Sequence, residues 1–153
     1  MVNKVSGIFF SLLLVFPLQA QNTLSIIRLR DLNAGIIIAG SQKEISPGSP
    51  ESAWFEIQSS RNDQLNLRFT LPSFLAASGA QVAINFSTIM ACWAYKISPG
   101  IRNTFDPRQG TVLNISAGEP VYVWLGSSST ISSQQQAGNY TNILTLTATS
   151  TSP

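Results

Sequence analysis

Leu65-Asn66-Leu67-Arg68-Phe69-Thr70-Leu71 puts an apolar residue at every odd position and a polar one at every even position. Successive side chains of a β-strand point to opposite faces, so a period of two is the mark of a strand with one face buried. Upstream, Ala53, Phe55 and Ile57 alternate with Trp54, Glu56 and Gln58; downstream, Val82, Ile84 and Phe86 alternate with Ala83, Asn85 and Ser87. Further strands are expected at Trp93-Tyr95-Ile97, Leu113-Ile115, Val121-Val123-Leu125 and Leu144-Leu146-Ala148, the last interleaved with Thr145, Thr147 and Thr149. No stretch after the first twenty residues carries the repeat of an amphipathic helix.

The breaks between these runs are turn formers: Pro47-Gly48-Ser49-Pro50, Arg61-Asn62-Asp63, Ser78-Gly79, Pro99-Gly100, Pro107 to Gly110, Ala117-Gly118 and Gly138-Asn139. Gly supplies positive φ, Pro presets the bend, and Asn or Asp bonds its own backbone. Short one-sided strands broken at such intervals predict an all-β, antiparallel β-sandwich, with a closed barrel as the other architecture. Ser127 to Ser133, followed by Gln134-Gln135-Gln136, reads as a loop or a polar edge strand.

At the other end, Met1 to Ala20 carries one basic residue, Lys4, an apolar run from Ile8 to Phe16, and Pro17-Leu18-Gln19-Ala20 before polar Gln21-Asn22-Thr23. This is the layout of a secretory signal peptide. The run is too short to span a bilayer, which takes about 20 apolar residues. Residues 1-20 are therefore expected to be a cleaved leader and residues 21-153 a single β-sandwich domain with no membrane span, exported to the periplasm, cell surface or extracellular space. The lone Cys92 allows no internal disulfide and is expected to be a small buried apolar residue.

Composition excludes several chemistries. Nine Lys and Arg face seven Asp and Glu, and loss of Lys4 with the leader lowers the net charge from +2 to +1. Nucleic-acid affinity rests on basic residues neutralising phosphates, so that partner class is disfavoured. The chain has no His, which removes the commonest general base and metal ligand. One Cys cannot build a zinc site. The acids Asp31, Glu44, Glu51, Glu56, Asp63, Asp106 and Glu119 are scattered singly and read as solvated surface groups rather than a glycosidase pair. No catalytic residue, metal ligand or cofactor is expected. Sequons begin at Asn85, Asn114 and Asn139, a frequency that chance also gives in a chain so rich in Asn, Ser and Thr.

Aromatic side chains offer a binding surface. Trp54 falls on the polar side of its strand, and Tyr122 and Trp124 fall opposite Val121, Val123 and Leu125. Rings on an outer sheet face stack on a surface glycan or pack on a partner subunit, unless a loop or strand covers them.

Four segments, in order, carry a family resemblance: Leu32-Asn33-Ala34-Gly35-Ile36-Ile37-Ile38; Ala53 to Ile57 with Leu67 to Ser73; Val121-Tyr122-Val123-Trp124-Leu125-Gly126; and Gln136-Ala137-Gly138-Asn139-Tyr140 with the alternating strand Thr141 to Thr147. Together they resemble a bacterial pilin-like secreted family of unknown function, itself similar to spore coat protein U and to fimbrial subunits. Ala34 stands where that family carries an aromatic, and the last strand ends in Thr149-Ser150-Thr151-Ser152-Pro153 without a closing aromatic. The resemblance implies an immunoglobulin-like sandwich serving as a non-catalytic structural or adhesive subunit, whose partners are copies of itself or other pilin-like subunits. Such subunits associate by strand addition or by edge and face packing. Leu24 to Arg30 is then either the domain's own first strand or a donor strand, with Leu24, Ile27 and Leu29 as contacts. The alternative is a soluble carbohydrate- or protein-binding module using Trp54, Tyr122 and Trp124.

Overall fold

The computed structural model describes residues 23–95 and 102–151, which are all-β, with antiparallel pairing throughout and no helix. The expected leader, Ile97 and the Pro99-Gly100 turn lie outside the described residues. A five-stranded sheet has the order β1 (Leu24–Arg30), β3 (Ala53–Ser59), β10 (Val121–Leu125), β7 (Ala91–Ala94), β8 (Asn103–Phe105). A three-stranded sheet has the order β12 (Thr145–Ser150), β4 (Asp63–Thr70), β9 (Thr111–Ile115). Two smaller ladders pair β2 (Gln42–Ile45) with β11 (Ser127–Thr130) and β5 (Phe74–Ala77) with β6 (Ala80–Ala83).

The alternation fixes which side of each strand is dry. Ala53, Phe55 and Ile57 of β3, Leu65, Leu67 and Phe69 of β4, Leu113 and Ile115 of β9, and Val121, Val123 and Leu125 of β10 form one core shared by the two larger sheets. Phe69 links the layers, its ring 6.1 Å from Phe55 and 6.3 Å from Phe105. On the outer side of the three-stranded sheet, Thr145, Thr147 and Thr149 face Thr70, Arg68 and Asn66 across the β4–β12 ladder. A shift of one residue would exchange the two sets.

Turn chemistry closes the hairpins. Ser78 and Gly79 both have positive φ, 42° and 87°, the two-residue geometry whose twist matches that of the flanking strands β5 and β6. Gly110, before β9, lets the chain pass against β4: a Cβ there would sit 2.2 Å from the Leu67 carbonyl oxygen.

Two expectations are corrected. Residues 32–38 form no strand; the opening strand is β1, eight residues earlier. The cause is local, because Gly35 takes φ +64° and its N–H bonds the Asn33 side-chain oxygen at 2.9 Å, turning the chain off the extended path. Of the two readings of Ser127–Thr130, the polar edge strand holds: it is one strand of a two-stranded sheet. It pairs with β2 on one side, and on the other Ser128 exchanges two main-chain hydrogen bonds with Asn85, at 2.7 and 2.9 Å. Val82, Ile84 and Phe86 are buried as expected, yet β6 ends at Ala83, and beyond it the pairing continues in the Ile84 N–H bond to the Ser73 carbonyl and at that Asn85 bridge.

Candidate interaction site

Leu24 to Arg30 is the domain's own first strand: β1 pairs antiparallel with β3. It is also the edge of its sheet. On the far flank, the Tyr95 hydroxyl at the end of β7 donates to the Asn114 carbonyl of β9 at 2.9 Å, tying the two layers together. On the near flank, β1 and β12 end beside the same β3–β4 turn, where the Thr23 N–H bonds the Ser60 hydroxyl and Arg61 bonds Ser150. Five strands over three leave β1 overhanging. Ile26 shares its face with its register partner Ile57, yet Ile57 is 0% exposed and Ile26 37%. Arg28, level with Phe55, extends into solvent and pairs with Asp31 at 3.0 Å.

Beneath the overhang the edge of β12 is unpaired among the described residues. The Thr151 N–H bonds the Gln64 carbonyl at 2.8 Å. Because pairing alternates along an antiparallel ladder, Thr145, Thr147 and Thr149 direct their main-chain groups to β4, while Leu146 and Ala148 direct theirs to the open side. The strand has no charged residue, no Pro and no register shift, the devices that normally blunt an edge.

The flank opens at its upper end into a cavity of about 640 Å³ whose floor includes the core residues Phe55, Leu75, Val82, Ile84 and Phe86. Its rim is built by two irregular segments, residues 31–39 and 135–144. Thr141 bridges Ala76, and the Asn142 side-chain amide donates to the Phe74 carbonyl at 2.7 Å, which fixes the second segment against β5. Ser127 and Ser129 line the cavity and are buried.

No family model matches the chain, and no curated protein matches it either.

The expected site residues fall into two groups. Trp54, Tyr122 and Trp124 do come together on the outer face of the five-stranded sheet, with ring centroids 5.9 to 6.2 Å apart. Two of the three, Trp54 and Trp124, have an arginine over the ring. Trp124 is 3% exposed, with the Arg102 guanidinium 4.6 Å from its ring centroid, and Arg30 lies 5.6 Å from the Trp54 ring. Both arginines are held by the β2–β3 turn: Arg30 donates to the Ser52 and Ser49 carbonyls at 2.8 and 2.9 Å, and Arg102 to the Pro47 carbonyl at 3.2 Å. Sequence reading missed both, because an isolated Arg gives no sign of which ring it will cover. Leu24, Ile27 and Leu29 lie on β1: Leu24 packs against the core, while Ile27 and Leu29 are exposed, Leu29 within the register shift between Arg28 and Arg30.

Electrostatics around the aromatic face are quiet. Burial pushes the Cys92 thiol above its ordinary value, against the pull of neighbouring Arg102. Burial also raises the Tyr122 hydroxyl, and Glu56 beside it adds to the rise by charge and hydrogen bonding. Both shifts favour the protonated forms near neutral pH. No helix among the described residues is long and apolar enough to cross a membrane.

Proposed function

We propose that this chain is an exported, non-catalytic structural or adhesive subunit of pilin-like type, with an immunoglobulin-like fold, and that it works by accepting an extended strand along the β1–β12 flank. The observation that carries the reading is the edge of β12, which is unpaired, uncharged and unbent. Two others support it. Ile26 is half-uncovered under β1 although its face is the core face, so one more strand beside β12 would bury it. The cavity at the upper end exposes core side chains, giving an incoming strand apolar contacts as well as main-chain bonds. Strand addition draws affinity from the main chain and specificity from such pockets. The partner is a second copy or another subunit of the same type.

The occupied ring faces of Trp54 and Trp124 weigh against glycan stacking. The reading is tested by sedimentation velocity on the purified chain and on Ala148→Pro, whose lost N–H is one that faces the open edge. Wild-type chain is expected to form species larger than a dimer, and Ala148→Pro to lose them at unchanged fold. Equal assembly by the two proteins would remove β12 from the mechanism.

A further inference from the structure

Between β1 and β2 the chain runs Asn33-Ala34-Gly35-Ile36-Ile37-Ile38-Ala39-Gly40-Ser41. In side-chain size this stretch reads nearly the same from either end: Ile37 at the centre, Ile on each side of it, then two small residues, then one short polar residue. The Ile run is strongly presented. Ile36 is 98% exposed and Ile38 74%, while Ile37 turns back to line the cavity. That is the in-and-out alternation of a strand, made of the residue type that best fits a pleated surface. Yet the N–H groups of Ile36, Ile37, Ile38 and Ala39 have no hydrogen-bond partner among the described residues. Gly35 and Gly40, with φ of +64° and +79°, bend the chain at both ends and isolate the extended piece.

We infer that Ile36 to Ile38 is a contact between two copies of this chain, in which the runs pair antiparallel about a two-fold axis through Ile37. In that register Ile36 opposes the partner's Ile38, and each Ile37 opposes its own copy. Every pair then shares a face, because antiparallel partners point to the same side of the sheet. A two-fold contact requires a self-complementary surface, and the near-palindrome supplies one without placing like charges together. Edge β1 does not: paired with itself about Leu29, it would set Arg28 against the partner's Arg30. A row of unpaired amides flanked by exposed Ile is met by another strand. This contact lies on a different segment from the β12 edge, so it stands or falls independently of strand acceptance there.

The test is sedimentation equilibrium on the purified chain with two variants. Wild type is expected to show a monomer–dimer step beneath the larger species that β12 supports, and Ala148→Pro a monomer–dimer equilibrium alone. Ile36→Thr/Ile38→Thr, at positions exposed enough to leave the fold intact by circular dichroism, is expected to raise the dimer dissociation constant at least about tenfold. Ala148→Pro is expected to leave that constant unchanged. As an independent readout, Ile37→Cys in a Cys92→Ala background is expected to form a covalent dimer on mild oxidation, since residues paired on the axis lie within disulfide reach. A chain that stays monomeric, or a dimer whose constant is unmoved by the double Thr substitution, overturns the inference. A dimer broken by Ala148→Pro but not by the double substitution assigns the contact to β12 and also overturns it.

Discussion

Trp54 and Trp124 are direct register partners across the β3–β10 ladder, and their rings stack 6.1 Å apart at 15°. They form the middle of one rung that crosses the whole five-stranded sheet on its outer face: Arg30, Trp54, Trp124, Cys92, Thr104. A guanidinium lies over each end of the stack, so an outer face that would otherwise be polar becomes a second, small apolar layer. Trp124 carries most of it, packed with Cys92 and Ala94. Trp124→Ala should lower unfolding free energy by about 3–5 kcal/mol, the usual range for removing a buried large aromatic. Arg102→Ala should lose less, about 1–2 kcal/mol, for a partly desolvated cation over a ring. Urea unfolding of both variants measures the ratio, and a Trp124→Ala effect no larger than that of Arg102→Ala would deny the rung its structural role.

Gly126 joins β10 to β11 where the two main chains nearly touch. A Cβ at this position would meet the Ile45 carbonyl oxygen at 2.0 Å and the Pro47 nitrogen at 3.0 Å. Backbone cannot swing aside as a side-chain tip can. Gly126→Ala should therefore destabilise the protein by about 1–3 kcal/mol, in the range of overpacked sites, read as a lower urea midpoint with an unchanged m-value.

The turn at Ser78-Gly79 allows a stabilising change. Ser78 holds φ at 42°, a region that Asn tolerates better than Ser. Ser78→Asn should raise stability by about 0.5 kcal/mol, a modest gain typical of turn optimisation, detectable as a small rise in melting temperature.

Alkaline pH should weaken the fold through Cys92. Its folded pKa is raised above the ordinary 9.0 by burial, so the folded state holds the proton more tightly than the unfolded chain does. The stability this adds is complete below the ordinary value and is lost as pH rises through the folded pKa. Cys92→Ala should flatten the stability profile above pH 9.0 and leave it unchanged in shape near neutrality. The same burial makes the native thiol slow to alkylate at neutral pH, with fast reaction in denaturant.

Strand identity was legible from the sequence wherever one face is buried and the other wet. Leu65, Leu67 and Phe69 go inside, and Asn66, Arg68 and Thr70 do not, because period two and burial are the same fact seen twice. Legibility failed where a neighbour decided the outcome. Ile36-Ile37-Ile38 has the composition of a strand and no ladder partner, so propensity alone left it unpaired. Ser127–Thr130 has the composition of a loop and gained neighbours on both sides. Trp54 and Trp124 were placed on the correct face, but their cover comes from Arg30 and Arg102, residues 24 and 22 positions away respectively. The flank itself, with β1 overhanging and β12 open, is a property of unequal sheets that no single strand announces.

Amide hydrogen exchange along β12, residue by residue, reports on the open flank most directly. In the isolated chain the N–H groups of Thr147 and Thr149 should exchange slowly and those of Leu146 and Ala148 fast; in the assembled protein the second set should slow to match the first. Uniform protection across the strand before assembly, or continued fast exchange at Leu146 and Ala148 after it, would contradict the account.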